Sequence, residues 1–303
     1  MSGAAERWVT ELGARPLVLL ALLIVLATTA LGVVAAFVTW AARRARTFWG
    51  AGEHVWRWLE ARWLVRRIEA RFPSVWRALR ALDPDEYLVL HAILGLTLTL
   101  AALVFVGIAE EIAEGSTVVR VDHALAASLY DAASPQGLTA FRFLTFFGGT
   151  PGLYIVSTIV TGILLWKRQR LLTLGWLFSM IGVAVFNAAL KVVFARPRPW
   201  FESPHEIARG FSFPSGHAMA TIVAAGMLAY FGVVAARGAS GRALILACAV
   251  AWTVAMGFSR MYLGVHYLSD VLGGFAAGTV WLSACISGLE IARRVAARRG
   301  QTG

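Results

Sequence analysis

Apolar residues dominate seven long stretches of the chain, and polar residues gather between them. The stretches cover residues 16–40, 87–108, 151–166, 171–194, 217–236, 243–258 and 266–292. A helix needs about 20 mostly apolar residues to cross a bilayer. The third and sixth runs are shorter than that, and a few extra residues at their ends complete them. The pattern predicts an all-α, polytopic membrane helical bundle. It has a six-helix core over residues 87–292 and one extra N-terminal transmembrane helix within residues 1–40. That first run reads as a retained anchor rather than a cleaved leader. Its apolar stretch is long, Glu6 and Glu11 precede it, and arginines follow it directly.

Two stretches are not spans. Residues 41–86 are basic and hold five of the 12 tryptophans. Trp56, Leu59 and Trp63 recur there at helical spacing. A cytoplasmic amphipathic helix fits, either lying on the inner membrane face or packed on the bundle. Pro73 breaks or restarts it. Residues 118–149 read as one or two short helices, with breaks at Ser134–Pro135 and Gly148–Gly149.

Composition supports the membrane reading. Hydrophobic residues make up 58% of the chain and charged ones 15%, against about 25% charged in a soluble domain. Two cysteines exclude a disulfide-dense secreted scaffold. The absence of CxxC and HExxH motifs leaves no ordinary zinc site and no metal to assign. The formal net charge of +11 does not form one patch, which argues against nucleic acid as a partner. It sits in clusters instead: Arg43, Arg44 and Arg46; Lys167, Arg168 and Arg170; Arg237 and Arg242; Arg293, Arg294, Arg298 and Arg299. Each cluster follows an odd-numbered run, so all four fall on one side, the cytoplasm. The N-terminus is then outside, the C-terminal tail over residues 293–303 inside, and Glu110, Glu111 and Glu114 outside.

Three polar clusters lie at the outer ends of the spans. The first, KVVFARPRP, ends a helix at Lys191 and returns Arg196 and Arg198 over the bundle, each before a proline. The second, PSGH over Pro214, Ser215, Gly216 and His217, leads into a helix. Ser215 suits an N-cap there, and the free N–H groups favour an anion. The third, SRMYLGVHYLSD, holds Ser259, Arg260, His266 and Asp270. His266 and Asp270 are four apart and share a face if both lie on one helix; the carboxylate would then fix the ring tautomer. Each cluster alone has an ordinary explanation: snorkelling cations, a capped helix start, an interfacial His–Asp pair. Together they bring two histidines, a carboxylate, a lysine and three arginines to one membrane face, a setting that suits a phosphate.

The spacings K-x6-R-P (Lys191, Arg198, Pro199), P-S-G-H and S-R-x5-H-x3-D match the three-part signature of the type 2 phosphatidic-acid phosphatase superfamily at all eleven positions. The chain resembles the membrane lipid phosphatase branch of that superfamily, which is related to the vanadium haloperoxidases. The resemblance covers about residues 87–292 and explains nothing before them. It implies an all-helical bundle with its site at the outer face. It also implies hydrolysis of a lipid phosphate or pyrophosphate without metal or other cofactor. His266 would be the nucleophile, Asp270 its orienting partner and His217 the general acid. Lys191, Arg198, Ser215, Gly216 and Arg260 would hold the phosphate oxygens, with Pro199, Pro214 and Ser259 structural. An isoprenyl carrier pyrophosphate, phosphatidic acid, phosphatidylglycerol phosphate and lipid A phosphate are the candidate substrates. A phosphotransferase using the same intermediate and a non-catalytic lipid-phosphate binder or transporter are the alternatives. A bacterial cytoplasmic membrane, with the site facing the periplasm, is the expected setting; a homo-oligomer stays open.

Smaller expectations complete the reading. Asn187 either orients Lys191 or bonds another helix, and Arg196 is either a cation behind the site or plain loop. His205 faces solvent, Phe201 lines a tail entrance or sits at the interface, and Cys248 and Cys285 are buried thiols. A neutral nucleophile paired with a protonated acid predicts a bell-shaped pH–rate profile. A rate that rises monotonically from acid to strongly alkaline pH would overturn those roles.

Overall fold

The structure, a computed structural model, describes residues 2–33, 36, 84–115 and 117–299. Most of the Trp-rich segment expected over residues 41–86 lies outside the described residues. The chain divides into two compact units, residues 1–29 with 97–303, and residues 30–96. Everything that builds the site belongs to the first.

The described residues form ten helices and no strand: α1 (Ser2–Gly13), α2 (Pro16–Val33), α3 (Pro84–Ala113), α4 (Thr117–Asp131), α5 (Pro135–Phe146), α6 (Thr150–Trp166), α7 (Arg170–Phe194), α8 (Gly216–Ala235), α9 (Ala239–Tyr262) and α10 (Leu268–Arg299). Six of them are long and apolar enough to cross a membrane by length and composition. The pair α5 and α6, bent by 42° at the break between them, passes the same test together. The Ser134–Pro135 and Gly148–Gly149 signals therefore mark real helix ends. On α7, Leu174, Phe178, Ile181 and Val185 recur every three or four residues and are each more than 60% exposed. An apolar stripe left so open suits lipid, not water.

Local chemistry sets the helix ends that matter. The α7 helix stops where Ala195 turns into the left-handed region at φ 45° while its N–H still bonds the Lys191 carbonyl at 3.0 Å. Two Arg-Pro pairs follow and prevent helix from resuming. Ser134 caps α5, accepting from the Gly137 N–H at 3.1 Å, and Pro135 fills the first helical position, where no N–H is needed. At α10, Asp270 accepts the Tyr267 N–H at 2.8 Å. This is the carboxylate half of a capping box.

The α8 helix is apolar all round and sits in the middle, packed on α7, α9 and α10. Trp176 and Val183 of α7, Met219, Val223 and Met227 of α8, and Ala277 and Leu289 of α10 form one buried cluster. A second, around Leu125, Leu129, Phe141, Phe258 and Tyr262, ties α4 and α5 to α9. The α8–α10 crossing is the tightest. Gly274 and Gly278 stand four apart on α10, the small-xxx-small spacing that lets backbones approach closely. A Cβ at Gly274 would lie 2.7 Å from the Ser215 carbonyl oxygen, a backbone atom with little room to yield. That contact sets the start of α8 against the start of α10, so it also sets the site.

Glycine to alanine should therefore have opposite signs along one helix. Gly274→Ala forces two backbones apart and should lower the unfolding midpoint in detergent by the equivalent of about 1–3 kcal/mol. Gly288, with nothing within 4 Å of its would-be Cβ, should tolerate alanine and gain up to about 1 kcal/mol.

Candidate active site

All eleven motif residues gather where α7 and α9 end and where α8 and α10 begin. The loop from Ala195 to Ser215 closes over that end of the bundle. Tyr130 of α4 holds the loop down: its ring stacks on Phe201 (centroids 4.1 Å) and His205 (4.2 Å), and its hydroxyl donates to the Ser203 carbonyl at 2.6 Å. His205 and Phe201 therefore fasten the loop, and His205 is half-buried against Tyr130 where a solvent-facing ring was expected.

His266 is 3% exposed and lies in the turn before α10, not on that helix. The four-residue spacing to Asp270 brings the two together through the turn and the cap, rather than along one helix face. Nδ1 of His266 stands 3.4 Å from Oδ2 of Asp270. Its alignment makes this an electrostatic contact, and Nδ1 is without a formed hydrogen bond. On the other side of the ring, Nε2 lies 3.1 Å from Nη1 of Arg198. A guanidinium can only donate. Nε2 is therefore the lone-pair nitrogen, and the ring proton belongs on Nδ1, facing the carboxylate. Burial pushes the His266 imidazole down to about 4; Asp270 opposes that shift, and Arg198 and Arg260 add to it.

Backbone oxygens hold Arg198 and Lys191, and side-chain oxygens hold Arg260. Arg198 donates to the carbonyls of Val265 (2.8 Å), Gly210 (3.1 Å) and Arg209 (3.2 Å). Lys191 reaches the Phe211 carbonyl. Arg260 donates to Thr145 Oγ1 at 2.7 Å and to Glu206 Oε1 at 3.2 Å, while its buried Nε has no partner. A buried guanidinium N–H left unmatched is costly. His217, in the first turn of α8, feels the charges of Arg260, Arg198 and Lys191 and lies close to His266. Ser215 caps α8, and its N–H bonds the Asp270 carbonyl at 2.9 Å. Gly216 is kept small by Asn187: a Cβ there would stand 2.9 Å from Oδ1. Asn187 itself donates to the Pro214 carbonyl at 3.3 Å, so it ties α7 to the PSGH turn instead of orienting Lys191. Ser259 turns back to the Met256 carbonyl on its own helix at 2.6 Å, and Pro199 continues the loop after Arg198.

A model of the PAP2 superfamily matches residues 172–293, which contain every motif residue. Decaprenylphosphoryl-5-phosphoribose phosphatase of Mycobacterium tuberculosis is 31% identical over 180 residues, covering 56% of this chain and 88% of that protein. The chain belongs to the PAP2 superfamily. Phosphatidylglycerophosphatase B of Bacillus subtilis is 40% identical over 95 residues, 31% of this chain; the match spans 46% of that protein's length. The crystal structure of a transmembrane PAP2 type phosphatidylglycerolphosphate phosphatase from Bacillus subtilis superposes with a TM-score of 0.59 at 28% identity. It covers 63% of this chain and 94% of that one.

Behind the PAP2 motif residues stands a group that motif reading missed. Arg196 is buried, with Nη1 on Asp270 Oδ1 (2.7 Å) and Ser269 Oγ (2.7 Å), and Nη2 on Asp122 Oδ2 (2.9 Å). Its guanidinium carbon lies 4.5 Å from the centre of the Tyr267 ring. Burial works against its charge, but Asp270 and Asp122 outweigh that and raise its pKa. Asp122 also accepts the Ser269 N–H at 3.0 Å, a second donor from the first turn of α10. Of the two roles left open for Arg196, the structure selects the cation behind the site. The signal for Asp122 was present: Asp122, Leu125, Ala126 and Leu129 share one buried face of α4, so an acid occupies an apolar-stripe position.

Arg196→Leu should strand two buried carboxylates and lower stability by about 3–5 kcal/mol. Adding Asp122→Asn should recover part of the loss. A double-mutant cycle on unfolding in detergent measures the coupling, and strict additivity would show that the two groups act independently.

Proposed function

We propose that this protein hydrolyses a lipid phosphate or pyrophosphate, without a metal ion, through a phosphohistidine on His266. The observation that carries the reading is the orientation of one ring. Nε2 of His266 presents its lone pair on the side of Arg198, while Nδ1 faces Asp270. Nε2 attacks phosphorus and the bond to the leaving oxygen breaks. His217 supplies the proton that oxygen takes. The proton on Nδ1 stays there, and Asp270 stabilises the charge the ring acquires. Lys191, Arg198, Arg260, Ser215 and the Gly216 N–H hold the phosphate oxygens, and their hold on transition-state charge is the largest contribution. Water then releases phosphate from the histidine. The relatives named above are phosphatases of phosphatidylglycerophosphate and of a decaprenyl phosphosugar. Those names support a substrate with a phosphate on a lipid, a phosphatidylglycerol phosphate or an isoprenyl phosphate or pyrophosphate in particular.

The site faces the outside of a bacterial cytoplasmic membrane in this reading, with the N-terminus out and the C-terminus in. The basic clusters between α6 and α7, between α8 and α9 and on α10 mark helix ends opposite those that hold the motif residues. That arrangement fits the positive-inside rule with an outward site.

Purified protein in detergent with EDTA should release phosphate from at least one lipid of this panel, and His266→Ala should lower the rate at least about 10³-fold. The sign of the pH dependence follows from His266. A neutral imidazole is available above about pH 4 and is lost as pH falls through that value. The acid limb of kcat/KM should therefore lie near pH 4, apart from any limb near about pH 6 from the second ionisation of a phosphate monoester. Release that EDTA abolishes would overturn the metal-free route.

A further inference from the structure

Two side chains, Arg196 and Asp270, separate Asp122 from His266, and the contacts between them are unbroken. Asp122 Oδ2 accepts from Nη2 of Arg196 at 2.9 Å. Nη1 of Arg196 donates to Oδ1 of Asp270 at 2.7 Å. Oδ2 of Asp270 faces Nδ1 of His266 at 3.4 Å. Each link uses a different atom. Oδ1 of Asp270 is taken by Arg196, with Ser212 Oγ at 3.4 Å, so Oδ2 is left to the Tyr267 N–H at 2.8 Å and to His266. Without Arg196 the carboxylate is free to turn about its Cβ–Cγ bond and lose that division.

Asp122 gives Arg196 two things that Asp270 cannot. The first is direction. Arg196 comes from a loop, and a loop cation resting on one carboxylate swings about that contact. A second carboxylate, from α4, fixes the plane of the guanidinium, with Ser269 Oγ accepting from Nη1 at 2.7 Å and the Tyr267 ring 4.5 Å from its carbon. Asp122 is itself anchored: Oδ1 accepts the Ser269 N–H at 3.0 Å, and the Ser269 hydroxyl donates to Oδ2. The second is charge. Arg196 alone would neutralise the carboxylate that faces His266. Asp122 offsets Arg196, so Asp270 keeps its charge toward the ring. Stability does not require this arrangement, since apolar groups of similar volume replace buried ion pairs at little or no cost.

We infer that Asp122 is a positioning residue for the reaction: through Arg196 it holds Asp270 Oδ2 toward Nδ1 of His266 and keeps the charge of Asp270 available to that ring. The inference rests on the phosphohistidine reading above and adds a residue that lies outside every motif. In that reading the ring becomes cationic when Nε2 bonds phosphorus, and the effect of Asp122 falls on that step. Lys191, Arg198 and Arg260 are held by other groups, so phosphate binding is spared.

Asp122→Asn removes the charge and keeps the size, while Asp122→Glu keeps the charge and moves it. In Asp122→Asn, kcat should fall at least about tenfold, and the inhibition constant of inorganic phosphate should stay within about twofold. The other charged and titratable groups around His266 are Asp270 of α10, Arg198 of the loop, Arg260 of α9 and His217 of α8; His123 of α4 meets the Tyr267 ring edge-on. All of them stay, so the change in charge is that of Asp122 alone. With one negative charge fewer, the ring takes up its proton less readily. The acid limb should then move down from about pH 4 by at least about 0.5 unit. Asp122→Glu should lower kcat by less and leave the limb in place. A wild-type kcat and limb in Asp122→Asn would overturn the proposal, and so would a fall in kcat matched by an equal loss of phosphate-binding sites. A second measurement needs no turnover. The Tyr267 N–H bonds Asp270 rather than Asp122. Its residue-resolved hydrogen exchange in detergent should quicken at least about fivefold in Asp122→Asn, with that of the buried Val223 in α8 unchanged. Wild-type protection of Tyr267 would overturn the positioning, whereas failure of the wild-type protein to hydrolyse any lipid phosphate would instead sink the reading beneath it. Should Asp122→Asn not fold, Asp122→Glu carries both measurements: wild-type kcat together with wild-type Tyr267 exchange would overturn the proposal.

Discussion

One guanidinium locks the end of the bundle that holds the motif residues. Arg196 sits between two buried carboxylates, Asp122 of α4 and Asp270 of α10, and bonds both. A charge taken this far from water persists only with close partners. Each partner is in turn committed elsewhere: Asp122 and Asp270 both accept N–H groups from the first turn of α10. The ion pairs and the helix cap are therefore one network. Its balance is one cation against two carboxylates, so the Nδ1 side of the His266 ring faces a net negative group, while Arg198 lies on the Nε2 side. That surplus suits a ring that becomes cationic when its lone pair is used.

The rest of the site is assembled from ends of helices rather than from their faces. Lys191 closes α7, Ser215 to His217 open α8, and Arg260 closes α9. The end of α7 has a left-handed alanine before Arg-Pro, the start of α8 a serine cap and the start of α10 a carboxylate cap. A glycine contact between α8 and α10 then brings two of those ends together. The basic side chains stay near one another because backbone carbonyls, not carboxylates, occupy most of their donors. Glu206 on Arg260 is the exception.

Much of this was legible in the sequence. Hydropathy runs and arginine clusters gave the helical class and the core, because the demands of a bilayer on length and charge are strict. The motif spacings named the residues that meet, because helix ends and Arg-Pro turns leave local marks. Other features carried weaker marks. The spacing of His266 and Asp270 suggested a shared helix face, and it arises instead from a turn plus a cap; a four-residue spacing does not distinguish them. Asp122 is far from every motif in sequence, so only its place on an apolar stripe betrayed it. Arg196 stayed open between a cation behind the site and plain loop because its partners lie on other elements. Cys248, which is exposed, read as buried because an apolar neighbourhood along the chain does not say which side of a spanning helix faces lipid.

The Arg196 network also has a bearing on how the site comes into being. Its two ion pairs each join residues 74 positions apart, and the Asp122–Ser269 bond closes 147. Contacts of that separation form only after intervening helices have docked, since the closure entropy must be met first. The orientation of His266 against Asp270 is therefore among the last things folding determines. A bundle with α4 undocked would keep its motif residues and lack the Asp122 partner of Arg196 and Ser269. The geometry of the motif residues is in that sense a report on the completeness of the whole bundle.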